Sequence, residues 1–142
     1  MRCAIFSATA LILIGGCAVQ GRPFEKVPAT PSTAVIYVYR PYHYGSSLLR
    51  PPVTCGDEAA RIGPGGYHAF VVPAGKTTCE VETETADQVD VDAQPGSYYI
   101  REEFGWGALT GHPHLNPIDH DEAQTEIGKC CVQEEPQAGP TP

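Results

Sequence analysis

The sequence predicts a mainly β fold: a small antiparallel β-sandwich of about six or seven short strands with one short C-terminal helix. Three observations carry this. Apolar residues recur at every second position in several separate runs, the spacing that turns one face of a strand inward. Turn groups built on proline and glycine separate those runs at short intervals, because proline presets one turn angle and glycine accepts the positive φ that follows. Only Asp119 to Lys129 shows helical spacing, with Ala123 and Ile127 four apart.

Taken in order, Ala34 to Arg40 (AVIYVYR) is rich in β-branched and aromatic residues, apolar on both faces and stopped by Pro41, the pattern of a central strand. Val53 and Cys55 share a strand face further on. Gly63-Pro64-Gly65-Gly66, Pro73-Ala74-Gly75-Lys76 and Pro95-Gly96 are turns at which the chain should reverse direction. Lys76 to Glu84 sets Thr77, Cys79, Val81 and Thr83 against Thr78, Glu80, Glu82 and Glu84, so the first set should look inward. Gln88 to Ala93 repeats this with Val89, Val91 and Ala93 opposite Asp90 and Asp92. Ser97 to Phe104 sets Tyr98, Ile100 and Phe104 against Tyr99, Arg101 and Glu103. In the helix, Asp119 or Asp121 can cap the start, the end falls near Gly128 and Lys129, and Ile127 should pack on the sheet.

The N-terminus reads as a bacterial lipoprotein signal. Arg2, an apolar run from Ala4 to Ile14 and then Ile14-Gly15-Gly16-Cys17 make a basic start and an apolar stretch too short for a bilayer span. Small residues then precede the cysteine whose thiol would carry the lipid. The expected organisation is a leader over 1–16, lipidated Cys17 and a proline-rich tether over 17–32, a β-sandwich over 33–132 and a disordered tail over 133–142. Extended, Ala18 to Ser32 would reach on the order of 50 Å.

The chain of 142 residues has room for one small core. Its formal charge of −8 becomes −9 once the leader and Arg2 are removed. That balance argues against nucleic acid, which is bound by displacing counterions with Lys and Arg, and leaves membrane attachment to the acyl chains. Of six cysteines, Cys3 leaves with the leader and Cys17 is acylated, so Cys55, Cys79, Cys130 and Cys131 remain. Export would place these four in an oxidising compartment, where an even number indicates disulfides. No C-x-x-C spacing supports zinc or redox chemistry.

The segments AVIYVYRP (Ala34 to Pro41), GGYHAFVVPAGKTTCEVETE (Gly65 to Glu84), VDVDAQPGSYYIRE (Val89 to Glu102) and GHPHLNPIDHDEAQTEIGKC (Gly111 to Cys130), in that order and behind the lipobox, resemble a family of bacterial lipoproteins with a domain of unknown function, number 2846. The resemblance spans roughly residues 33 to 131. It implies a small β-sandwich in the bacterial envelope and brings no established activity and no catalytic residues. The sequence departs from the family pattern around Thr54 to Arg61 (TCGDEAAR), where a strand and a tight turn are expected.

Three groups of residues bear chemistry. Cys55 and Cys79 are the disulfide candidates, each on the inward face of its strand, and closing that loop stabilises the folded state by roughly 3 kcal/mol. For Cys130 and Cys131 a vicinal disulfide would be a strained ring, so one free thiol, a bridge to another chain, or pairing with Cys55 or Cys79 stays open. His112, His114 and His120, with Asp119 and Asp121, form the one cluster of metal-ligand type, weighed against a polar loop leading to a helix cap. Tyr37, Tyr39, Tyr42, His43 and Tyr44, extended by Phe104 and Trp106, can offer a glycan-stacking surface. Against this, Tyr37 and Tyr39 fit a core strand, and Gly105-Trp106-Gly107 reads as a bulge with Trp106 covering an edge. No G-x-S-x-G is present, and Glu102 and Glu103 point to opposite faces.

The function expected is that of a non-enzymatic envelope lipoprotein, a structural or accessory module without cofactor. It is tethered to the membrane through Cys17 and presents a face or sheet edge to an envelope protein partner. The alternative is a small-ligand or metal-binding module using His112, His114 and His120. Ala18, in place of an aspartate after the lipidated cysteine, favours the outer membrane, with the domain facing the periplasm.

Overall fold

The computed structural model describes residues 19–46, 48–107 and 111–134, with the backbone alone for Tyr44 and Glu134. The leader (1–16), Cys17 and residues 135–142 of the tail lie outside the described residues. The strands are β1 (Gly21–Pro23), β2 (Thr33–Arg40), β3 (Pro52–Cys55), β4 (Glu58–Arg61), β5 (Gly66–Pro73), β6 (Gly75–Glu82), β7 (Ala86–Ala93), β8 (Gly96–Gly105), β9 (His112–Pro117) and β10 (Val132–Glu134), and the helix is α1 (His120–Cys130). The ten described strands form two sheets, of order β1-β10-β5-β2-β8-β9 and β4-β3-β6-β7. The count exceeds six or seven because β1, β4 and β10 are only three or four residues long and carry little periodicity.

β2 is buried from Ala34 to Arg40 without interruption. Ala34, Ile36 and Val38 meet Val53, Cys55, Cys79 and Val81 of the smaller sheet. Val35, Tyr37 and Tyr39 pack on the other face against Ala123 and Ile127 of α1. The result is three layers, with the larger sheet in the middle. That sheet is mixed rather than wholly antiparallel, since β2 runs parallel to β8 and β5 to β10. The alternation read for β6 and β7 holds: Cys79, Val81 and Ala93 are buried while Glu80, Glu82, Asp90 and Asp92 are exposed.

Two of the expected reversals are corners between sheets. β5 belongs to the larger sheet and β6 to the smaller, so Pro73-Ala74-Gly75 carries the chain across the sandwich, with Gly75 at φ 134°. Pro95-Gly96 returns it from β7 to β8. The hairpin β3–β4 turns at Gly56-Asp57, where Gly56 at φ 60° takes a left-handed conformation that costs glycine little. A strand and tight turn therefore persist over Thr54 to Arg61. Asp119, not Asp121, caps α1: its carboxylate accepts from the Asp121 N–H at 3.0 Å. The helix passes Gly128 and ends at Cys130, where the Cys131 N–H donates to Ile127.

The stretch expected as a free tether is folded onto the sheet over its described part. β1 pairs with β10, so Gln133 and Glu134, expected as tail, are strand. Phe24 meets the rings of Tyr37 and Tyr67 edge-on, each at 5.3 Å. The Val27 N–H donates to the Tyr37 hydroxyl at 2.7 Å, and the Glu25 N–H to that of Tyr67 at 3.2 Å. Composition suggested a solvated linker; buried tyrosines that need partners for their hydroxyls override it. Proline is tolerated because β1 is an edge strand. Phe24→Ala should therefore lower the unfolding free energy by about 2 kcal/mol, read from the midpoint of a urea titration; a tether residue would leave the midpoint unchanged.

Candidate functional site: a cleft over Arg40 and Glu102

Parallel pairing of β2 and β8 sets Tyr39 opposite Arg101. The next residues, Arg40 and Glu102, thus lie side by side, and alternation turns both toward the inter-sheet face. Each is 1 % exposed. Arg40 is held by backbone: Nη1 donates to Leu49 O at 2.6 Å and Ile62 O at 3.2 Å, and Nη2 donates to Ser46 O. Its guanidinium lies 4.3 Å from the Phe104 ring centroid, a cation–π contact that suits a desolvated cation. Burial pushes the Arg40 pKa down, offset by Glu102.

Glu102 is not satisfied in the same way. Both carboxyl oxygens are buried without a hydrogen-bond partner. Burial pushes the carboxyl up to about 8, with the Arg40 charge opposing the shift, so near neutrality it holds a proton. Above it opens a cleft of about 340 Å³, walled by Tyr42, His43, Phe104 and His114 among others. A protonated, desolvated carboxyl in a cleft can donate or accept a hydrogen bond, or exchange a proton, near pH 7.

Cys17 lies outside the described residues. Cys55 and Cys79 are directly opposed across β3 and β6 and disulfide-bonded, with Cα atoms 4.1 Å apart. Cys130 and Cys131 are bonded to each other, against the expectation that ring strain would leave them free or paired elsewhere; the chain passes between them from helix to extended backbone, with Cys131 at φ −133° and ψ 141°. His112, His114 and His120 do not converge. His112 stands 4.0 Å from Glu84, while His120 begins α1 with its ring on Tyr99 and its nitrogens on Asp121 and Gln124. Among the described residues no group of three or more His, Cys, Asp or Glu side chains could hold a metal ion. The reason is geometric: β9 carries the first two, and the chain then turns into a helix on the other layer before reaching the third.

Tyr37 and Tyr39 are core, as read. Tyr39 donates to Glu126 at 2.5 Å, and Arg101 reaches Glu126 at 3.1 Å and Glu103 at 2.9 Å, tying α1 to β2 and β8. Trp106 covers no edge: it is 93 % exposed. Tyr42, His43 and Phe104 do come together, at the cleft. No local pattern in the sequence joins Arg40 to Glu102. Glu102 shares the inward parity of Ile100 and Phe104, which was the available signal; the parallel neighbour that brings Arg40 to it was not legible.

Because the folded-state pKa of Glu102 lies above that of an unfolded glutamate, the native state holds the extra proton between about pH 4.5 and 8, and stability falls as pH rises through that window. Glu102→Gln should remove that slope. Thermal melts should show the variant's advantage widening from pH 4.5 to 8, by a few kcal/mol at most; parallel pH profiles would refute the assignment. No protein-family model matches the chain, and no curated protein matches it.

Proposed function

We propose that the protein is a lipid-anchored, non-enzymatic β-sandwich module of the bacterial envelope, of the family with domain of unknown function 2846, acting as an accessory component held at the outer membrane. The observation that carries this reading is cysteine use. All four cysteines beyond the leader and Cys17 are in disulfides, the state expected of an exported chain. The basic, apolar and small-residue leader over 1–16 directs export, and the acyl chains on Cys17 behind it supply the anchor. Among the described residues no helix is long and apolar enough to cross a membrane.

Such an attachment would be short. The Val19 N–H donates to Pro64 O at 3.1 Å, so a single residue, Ala18, would separate Cys17 from the folded body, a reach of about 7 Å between the two positions. The base of the sandwich would sit close to the bilayer surface rather than at the end of a long spacer. A second reading, a small-ligand module, is favoured by Glu102 at the floor of the cleft rather than by the histidines.

Cys17→Ser should abolish acyl labelling and move the protein from the membrane fraction to the soluble fraction of the envelope. Retention in the membrane with labelling unchanged would overturn the lipoprotein reading.

A further inference from the structure

We propose that the cleft over Arg40 and Glu102 is a binding site for a neutral polyhydroxylated ligand, a saccharide of one or two rings. Glu102 would hydrogen-bond its hydroxyls, with Tyr42, His43 and Phe104 lying against its apolar faces. The inference rests on the small-ligand reading above and is independent of the lipid anchor.

The carrying observation is an imbalance. Arg40 directs three N–H bonds to the carbonyls of Leu49, Ile62 and Ser46 and stacks on Phe104, whereas both oxygens of Glu102, 1 % exposed beside it, meet no partner. A buried polar group left unpaired is costly enough to demand a partner from outside the chain. The cleft it lines, about 340 Å³, lies in the range of small-ligand sites.

Charge and donor inventory select the ligand class. An anion needs a free guanidinium fork, and Arg40 has committed its own to backbone. An ammonium ligand would be placed beside the buried Arg40 charge and repelled. A hydroxyl both donates and accepts, so it satisfies Glu102 in either protonation state. Aromatic walls next to a buried carboxyl complete a surface of mixed character, apolar for C–H faces and polar for hydroxyls.

The test is ligand-observed saturation-transfer NMR on the full chain purified in a zwitterionic detergent. The probes are glucose, galactose and N-acetylglucosamine, with acetate and methylamine as charged comparators. Binding by at least one sugar with a dissociation constant on the order of 1 mM is expected, weakened about tenfold by Glu102→Leu, which removes both oxygens. Tyr42→Ala, at the rim, should weaken it without unfolding the domain, checked by circular dichroism. Absence of transfer to all three sugars, binding indifferent to both substitutions, or preference for acetate or methylamine would each overturn the proposal. None of these readouts depends on acylation of Cys17, so their failure is distinct from failure of the lipoprotein reading.

Discussion

Everything in this domain is arranged around the burial of one strand on both faces. Ala34 to Arg40 exposes nothing to solvent, and a strand apolar on both sides has to be covered twice. The smaller sheet covers one face. The other needs α1 and the N-terminal strap, which is why a segment of linker-like composition becomes part of the fold. The strap and helix are recruited through tyrosine hydroxyls as much as through apolar area. Tyr37 and Tyr67 accept from backbone N–H groups of the strap, Tyr39 donates to Glu126, and Tyr99 accepts from Gln124 at 3.1 Å. Each ring brings a large apolar surface and one polar atom that requires a partner.

The same double burial produces the candidate site where β2 ends. Arg40 continues the inward parity of Ile36 and Val38 but carries a charge, so the loops after β2 and β4 fold their carbonyls onto it. Removing two opposite charges from water costs several kcal/mol per ion unless their bonding capacity is filled. It is filled for Arg40 and left empty for Glu102. Raising the carboxyl's pKa is how the chain lowers that cost, and Glu102 is among the residues that line the cleft. In the tyrosine layer the polar atoms dock elements; those of Glu102 are left over.

The two disulfides act on different links. Cys55–Cys79 clamps β3 to β6 inside a sheet that is only four strands wide, where those two strands pair over Val53 to Cys55 alone. Cys130–Cys131 sits where α1 gives way to β10, with Cys131 packed in the tyrosine layer beside Tyr67 and Ile127. It therefore lies next to β10, the strand that receives β1.

By itself the sequence determined the class of fold, the central strand, the inward faces of β6 and β7, the helix with Ile127 turned to the sheet, and the Cys55–Cys79 pair. All of these follow from local periodicity or from residue type, which a single chain displays directly. Tertiary structure alone decided which strands are neighbours. That choice turned Pro73-Ala74-Gly75 into a corner, scattered His112, His114 and His120, drew Val19 to Ser32 into the fold, and set Arg40 beside Glu102 across a parallel pairing. The physical reason is that strand order is settled by which faces must be covered together, a property of the whole packed molecule. No window of sequence contains it, and the candidate site belongs to that class of feature.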